Sequence, residues 1–255
     1  MANQGSRMVK SGERVFDILE FVREEAGVTV TEVARELDIA PSTAHQYLQT
    51  IEASGFLVRE GNDYYISLQF LDYGESARQR GKACKLAEEN VDELARETNE
   101  RAQFVVMEHG QGVVLYTATG DRAVKTNVTL GRHVYLHATA AGKAILSQLP
   151  ESAVLEIIDE HGLPAVTSHT ITEQDALLTE LDEIRQAGVA QNNQEDIHGL
   201  RAVGVPVTDE QDHILGALSV SGPTHRITGD VLEHEIPDLL LGMANELELK
   251  VEYTD

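Results

Sequence analysis

A single cysteine, Cys84, stands in 255 residues. One thiol excludes an internal disulfide, and no group of cysteines and histidines has the spacing of a structural zinc site. No cofactor is expected. Long hydrophobic runs are missing too: no apolar stretch approaches the roughly 20 residues that span a bilayer, and the opening MANQGSRMVKSGERVF has no hydrophobic signal core. A cytoplasmic protein with no membrane partner is expected. The chain has no G-x-S-x-G elbow, phosphate-binding P-loop or H-E-x-x-H pair. No nucleophile, base and orienting group stand out together, so an enzyme is not expected.

Positive charge is scarce: 20 Lys and Arg face 43 Asp and Glu, for a formal net charge of −23. The acid is spread along the chain and is heaviest after residue 80. An ordinary acidic protein would look like this. So would one adapted to a salt-saturated cytoplasm, where a Debye length of about 3 Å or less makes like-charge repulsion tolerable. We favour the saline reading.

What is present divides the chain. RVFDILEFVRE places Val15, Ile18, Leu19 and Val22 at helical spacing. In TVTEVAREL, Thr29 and Glu32 have the spacing of a capping box, ahead of Val33, Ala34 and Leu37. DIAP breaks the pattern, and Pro41 fits the first turn of the next helix, where an N–H is not needed. That helix buries Ala44, Leu48 and Ile51 and should close at Gly55. FLVRE and YYISL, flanking GND, predict a hairpin. The stretch of roughly residues 68–99 is helical and charged, interrupted by Gly74 and Gly81, and reads as a linker. Beyond it, strand-like and helix-like segments mix: hairpin strands around GQG, helices in HATAAGKAILSQL and TEQDALLTELDEIRQAG, two strands around TDEQDH, and a last helix started or kinked near Pro237. The fold class is α+β.

The helix of residues 41–53 turns Ser42, Thr43, His45, Gln46, Gln49 and Thr50 away from its buried stripe, and no acid occurs from Ser42 to Ile51. Protein surfaces usually carry Lys, Glu and Asp. A DNA major groove explains the difference, since carboxylates repel phosphates while Ser, Thr, Gln and His can meet base edges. The order helix, helix, turn, helix, hairpin is that of a winged helix-turn-helix. Arg59 and Asn62 are then the wing's contacts, and Lys10 and Arg14 candidates for the DNA backbone. Each alone is equally an ordinary surface side chain.

In HATAAGKAIL, Thr139 stands where an N-cap belongs, so the free N–H groups of Ala140 and Ala141 would form an anion site. Any capped helix has this property. Strand alternation puts Ala202 and Gly204 on one face of one strand, and Ala217, Ser219 and Ser221 on one face of the next. If these faces coincide they make a shallow floor edged by two hydroxyls; close helix packing would need the same small residues. His133 and His137, four apart, would share a strand face, but no third metal ligand is evident. NVT at Asn127 is a glycosylation acceptor only in a secreted chain.

Three segments carry a resemblance. TVTEVARELDIAPSTAHQYLQTIEASGFLVREGNDYYISLQFLDYG, GRHVYLHATAAGKAILSQLPE and GLRAVGVPVTDEQDHILGALSVSGP resemble, in order, the winged helix and two effector-domain segments of the IclR family of transcriptional regulators, here of a halophilic archaeal type. The resemblance implies a winged helix-turn-helix over residues 1–67, a helical linker over 68–99, and a GAF-like domain over 100–255 that binds a small-molecule effector. It implies a homodimer or homotetramer on double-stranded DNA with a partly palindromic operator. The family's ligand-pocket residues fall on Ala140, Ala141, Asn192, Ala202, Ser219 and Ser221. Asn192 departs from a familiar aspartate and Ala202 from a familiar cysteine. A small organic acid or sugar-derived acid fits the positions that are kept. The competing classes are an enzyme using the cleft between residues 139 and 221 and a protein-interaction module that has lost DNA.

Overall fold

The computed structural model describes residues 9–124 and 129–253, so Asn127 lies outside the described part. The chain forms two compact units that divide between Ala77 and Arg78.

The first unit begins with α1 (Lys10–Glu25), whose apolar stripe buries Ile18 and Val22. A two-residue strand, β1 (Val28–Thr29), leads into α2 (Val30–Glu36). The capping box is present: Thr29 Oγ1 accepts the Glu32 amide at 3.3 Å, and the Glu32 carboxylate accepts the Thr29 amide at 2.8 Å. Two otherwise orphaned helix donors are thereby satisfied. Helix α3 (Pro41–Ala53) starts on its proline and buries Ala44, Leu48 and Ile51. Gly55, just past its end, has φ +86°, the left-handed conformation that glycine adopts without strain. Strands β2 (Leu57–Glu60) and β3 (Asp63–Ile66) form a hairpin across Gly61–Asn62, and β3 also pairs with β1. The buried side chains of α1, α2, α3 and the sheet, including Tyr64, make one core. In α4 (Gln69–Arg78), Phe70 and Tyr73 each set a ring 5.2 Å from that of Phe56.

The second unit is a six-stranded antiparallel sheet in the order β6-β5-β4-β9-β8-β7, with helices on both faces. Its strands are β4 (Arg101–Glu108), β5 (Gln111–Thr119), β6 (His133–Val134), β7 (Ala190–Asn193), β8 (Leu200–Thr208) and β9 (Ile214–Pro223). Helices α5 (Lys82–Thr98) and α9 (Ile236–Tyr253) cover one face, against Phe104, Val203, Val205, Leu218 and Val220. On the other face lie α6 (Ala140–Ser147), α7 (Glu151–His161) and α8 (Gln174–Ala187), whose core includes Ile145, Val154, Leu177 and Leu181. Period-two alternation along each strand supplies both layers.

Three details differ from the sequence pattern. Gly74 lies inside α4 without breaking it, whereas Gly81 does start a new helix. Helix α5 is not a bare spacer, since Ala87, Val91 and Leu94 are buried in the core of the second unit. His133 and His137 do not share a strand face, because β6 ends at Val134 and the chain turns into a short 3-10 segment at Leu136–Ala138. His133 is exposed and bonds to Gln111 at 2.8 Å. His137 is buried, with Nε2 3.1 Å from the Pro164 carbonyl. Pro237 falls in the first turn of α9, after a π-helical turn at Val231–Glu235.

Helix α6 approaches the sheet at Gly204. A Cβ built there would stand 2.8 Å from the Ala140 carbonyl carbon and 2.9 Å from the Ala141 nitrogen, backbone atoms that cannot swing aside. Gly204→Ala should therefore destabilise the protein by about 1–3 kcal/mol through overpacking. A lowered urea midpoint with unchanged slope would show it, and a midpoint equal to wild type would mean that α6 is not held against this strand.

Candidate functional site

On α3, Ser42, Gln46, Gln49 and Thr50 are exposed, Thr43 and His45 half-buried. They form a continuous polar strip, and the next acid, Glu52, is half-buried at the far end of the helix. Thr50 donates its hydroxyl to the Gln46 carbonyl at 2.8 Å, which leaves the others to supply free donors and acceptors. Arg59 donates Nε to the Gly61 carbonyl at 2.9 Å, and its guanidinium carbon lies 5.6 Å from the Tyr64 ring centroid. Its side chain is thus folded along the hairpin, with Asn62 exposed at the tip. Lys10 and Arg14 stand apart, on the first turns of α1, beside Glu13 and Asp17. Their positive charge is locally offset.

In the second unit, the small faces of β8 and β9 coincide: Ala202 pairs with Ser221 and Gly204 with Ser219. The rows extend to both sides. Asn192 of β7 is opposite Ala202, while on β4 Arg101 is opposite Ser221 and Gln103 opposite Ser219. With the first turn of α6 and residues 196–201, these residues enclose a cavity of about 60 Å³. Ala140, Ala141, Asn192, Ala202, Ser219 and Ser221 all line it. The structure thus brings all six together. The small floor serves two purposes, since Gly204 admits α6 and Ala202 keeps space beside it.

Thr139 caps α6 by accepting the Gly142 amide at 3.1 Å, so the first N–H groups of the helix face the cavity with the positive end of its dipole. Asn192 has a different role from these donors. It donates Nδ2 to the Ala138 carbonyl and accepts the Glu195 amide on Oδ1 at 3.1 Å, so both polar ends are spent positioning backbone. A carboxylate at this position could not donate to Ala138. Among the described residues, neither Ser219 nor Ser221 donates its hydroxyl to a neighbour, and both line the cavity.

Four polar lining residues were not foreseen from sequence: Arg101, Gln103, Asp196 and Arg201. Burial pushes the Asp196 carboxyl above the usual carboxylate range, against the pull of Arg132 and Arg101. Burial also lowers the pKa of Arg101, with Asp196 working the other way. Its guanidinium nevertheless stays charged. At the approach to α6, burial lowers the His137 pKa, with the Pro164 carbonyl opposing and Lys143 assisting.

Lys143, fully buried in α6, ties this assembly together. Its ammonium lies 2.9 and 2.8 Å from the two Glu195 carboxylate oxygens and also pairs with Glu180 of α8. Thr167 and Thr170 donate hydroxyls to the Glu195 carbonyl at 3.2 and 2.6 Å. The residue that follows, Asp196, faces the cavity from a held backbone.

A winged helix with an acid-free polar strip, followed by a three-layer domain with a polar cavity, defines a DNA-binding regulator that responds to a small molecule. Residues 11–61 match the family model described as the IclR helix-turn-helix domain, and residues 77–248 that of the bacterial transcriptional regulator IclR C-terminal. The chain belongs to the IclR family: it is a DNA-binding transcriptional regulator with an effector-binding C-terminal domain. It is 32% identical over 256 residues to the probable HTH-type transcriptional regulator ArcR of Halobacterium salinarum, covering 98% of this chain and 97% of that one. The crystal structure of the Thermotoga maritima IclR superposes with a TM-score of 0.80 at 28% identity, over 96% of this chain and 99% of that one. A double mutant of the PobR inducer-binding domain from Acinetobacter, in complex with 3-hydroxybenzoic acid, gives 0.59 at 29% identity, over 64% of this chain and 96% of that one. Among the described residues, no helix is long and apolar enough to cross a membrane.

Replacing Lys143 with methionine strips Glu195 of its buried counter-charge and should cost about 3–5 kcal/mol of stability. The double replacement Lys143→Met with Glu195→Leu should recover much of it. Equal urea midpoints for the Lys143→Met protein and wild type would remove the ion pair from this role.

Proposed function

We propose that this chain reads a partly palindromic operator through residues 41–53 and that a small organic or sugar-derived acid, held in the cavity under α6, changes its hold on that operator. Ser42, Thr43, His45, Gln46 and Gln49 would meet base edges in the major groove. Arg59 and Asn62 would serve as the wing, Lys10 and Arg14 as backbone contacts. The chain would work as a homodimer or homotetramer in the cytoplasm, without catalytic turnover, with residues 1–67 on DNA, 68–99 as connecting helix and 100–255 as sensor.

The observation that carries the DNA half is the strip on α3, free of acid in a chain of net charge −23. Supporting the effector half is the concentration of donors around one cavity: helix-start amides, two serine hydroxyls and two arginines. The related PobR domain forms a complex with a carboxylic acid, 3-hydroxybenzoic acid. An effector acts by favouring one arrangement of the protein over another, and one that bound both equally would change nothing.

Selection from a pool of random duplexes at the protein's native salinity should enrich one sequence. His45→Glu should weaken binding to it by more than about tenfold, as a carboxylate meets phosphates and base acceptors, with the thermal melt unchanged. Failure to enrich any sequence, with or without candidate acids, would sink the reading. Affinity built on phosphate neutralisation falls with salt at a log-log slope of about −0.9 per contact, so a protein working in strong brine should show a shallow slope. A steep loss between low and molar salt would count against base-edge contacts as the main source of affinity.

A further inference from the structure

We propose that Arg101 sets the cavity's specificity by holding a second anionic group of the effector, so that the ligand is a short dicarboxylate rather than a monocarboxylate with an apolar tail. This inference rests on the reading above that the cavity holds an acid.

The sheet register separates two anchors. Helix α6 begins over the row formed by Gly204, Ser219 and Gln103, where a carboxylate would find the amides of Ala140 and Ala141. Arg101 belongs to the next row on the same face, with Ala202 and Ser221, two residues along the strands and so about 7 Å away. A ligand with two anionic groups a few carbons apart can engage both rows at once.

That anchor is poorly satisfied by the protein itself. Arg101 is only 5% exposed, and among the described residues its guanidinium makes one hydrogen bond, from Nη2 to the Val124 carbonyl at 2.7 Å. A guanidinium carries five N–H donors in a planar fork, and the cavity that Arg101 lines is where its remaining donors can meet an acceptor. Asp196 acts on it through space, and among the described residues the two form no direct ion pair. Gln103 adds a buried Nε2 with no hydrogen-bond partner. Arg201 is different, because its guanidinium is already shared among Asn193 Oδ1 and the carbonyls of Thr224 and Ile227. It shapes the wall, while Arg101 keeps donors in hand. Around the cavity two arginines and a helix start face a single acid, Asp196, a local balance opposite to that of the whole chain. Bidentate pairing with a carboxylate is what a planar fork does best.

Succinate and butyrate have the same chain length and differ in one end, so calorimetric titration of the full chain with each isolates the second anchor. Malonate and glutarate bracket the spacing. Wild type should bind the best dicarboxylate at least about tenfold more tightly than butyrate, the scale of a charge-assisted hydrogen bond. Arg101→Gln should bring the two within about twofold by weakening the dicarboxylate far more than butyrate, and Arg101→Lys, which keeps the charge but loses the fork, should fall between. A purely structural arginine would lower both affinities together. Equal affinities in wild type, or a preference intact in a folded Arg101→Gln protein, would overturn the assignment of Arg101 and leave the acid site standing. If no acid binds wild type, the reading of the cavity fails and this proposal with it. Should Arg101→Gln not fold, the wild-type preference and the Arg101→Lys protein still decide.

Discussion

The first turn of α6 rests on bare backbone at Gly204, and the rest of the sensor domain is arranged around that contact. Without a Cβ on β8 the helix start can come close enough for its amides to face the Ser219 row instead of hanging above it. Lys143 then anchors the same helix from within, through carboxylates on α8 and on the loop after β7. A buried ion pair is weak evidence for stability, because desolvation offsets most of its attraction. Its value here is positional, since Glu195 also takes up the Asn193 amide and fixes the turn that carries Asp196.

Charge is distributed with a consistent logic. The bulk of the surface is acidic, which favours solubility and disfavours casual association with polyanions. Two places depart from it, the strip on α3 and the cavity. On α3 from Ser42 to Ile51 the departure is neutral: acids are absent but arginines and lysines are not added. That distinction matters, since cations would bind phosphate on any sequence, whereas amides, hydroxyls and imidazole discriminate among base edges. In the cavity the departure is positive, and burial protects it from screening by salt. The charge lining the cavity is thus the reverse of that of the chain as a whole.

Much of the fold was legible because local chemistry and tertiary role agree. Thr29 and Glu32 cap α2, Pro41 opens α3, Gly55 closes it, and the small residues of β8 and β9 do line up. For α7 a usable signal was there, with Pro150 at the N-cap and Val154, Ile157 and Ile158 at helical spacing. The strand β7, with the sequence AQNN, has neither β-branched residues nor alternation of polarity, and only its pairing with β8 makes it a strand. Arg101 and Gln103 were invisible as site residues for a related reason. At the start of a strand they read as solvated, and only the pairing of β4 with β9, remote in sequence, turns their face toward Ser219 and Ser221. Asn192 could be placed in the pocket but not given its role, because its partners, the Ala138 carbonyl and the Glu195 amide, come from two separate loops.

The alternation of β4 connects the cavity to the helix behind the sheet. Arg101, Gln103 and Val105 line the cavity, while the intervening Ala102 and Phe104 lie in the core with α5. A displacement of this strand would therefore meet a helix packed against its opposite face. Close-packed interiors transmit such displacements because there is little free volume to absorb them. Helix α5 is in turn joined to α4 through only residues 79–81, ending in Gly81. Burial of Ala87, Val91 and Leu94 thus seats α5 on the back of the strands that floor the cavity, so that one sheet carries the cavity on one face and this helix on the other.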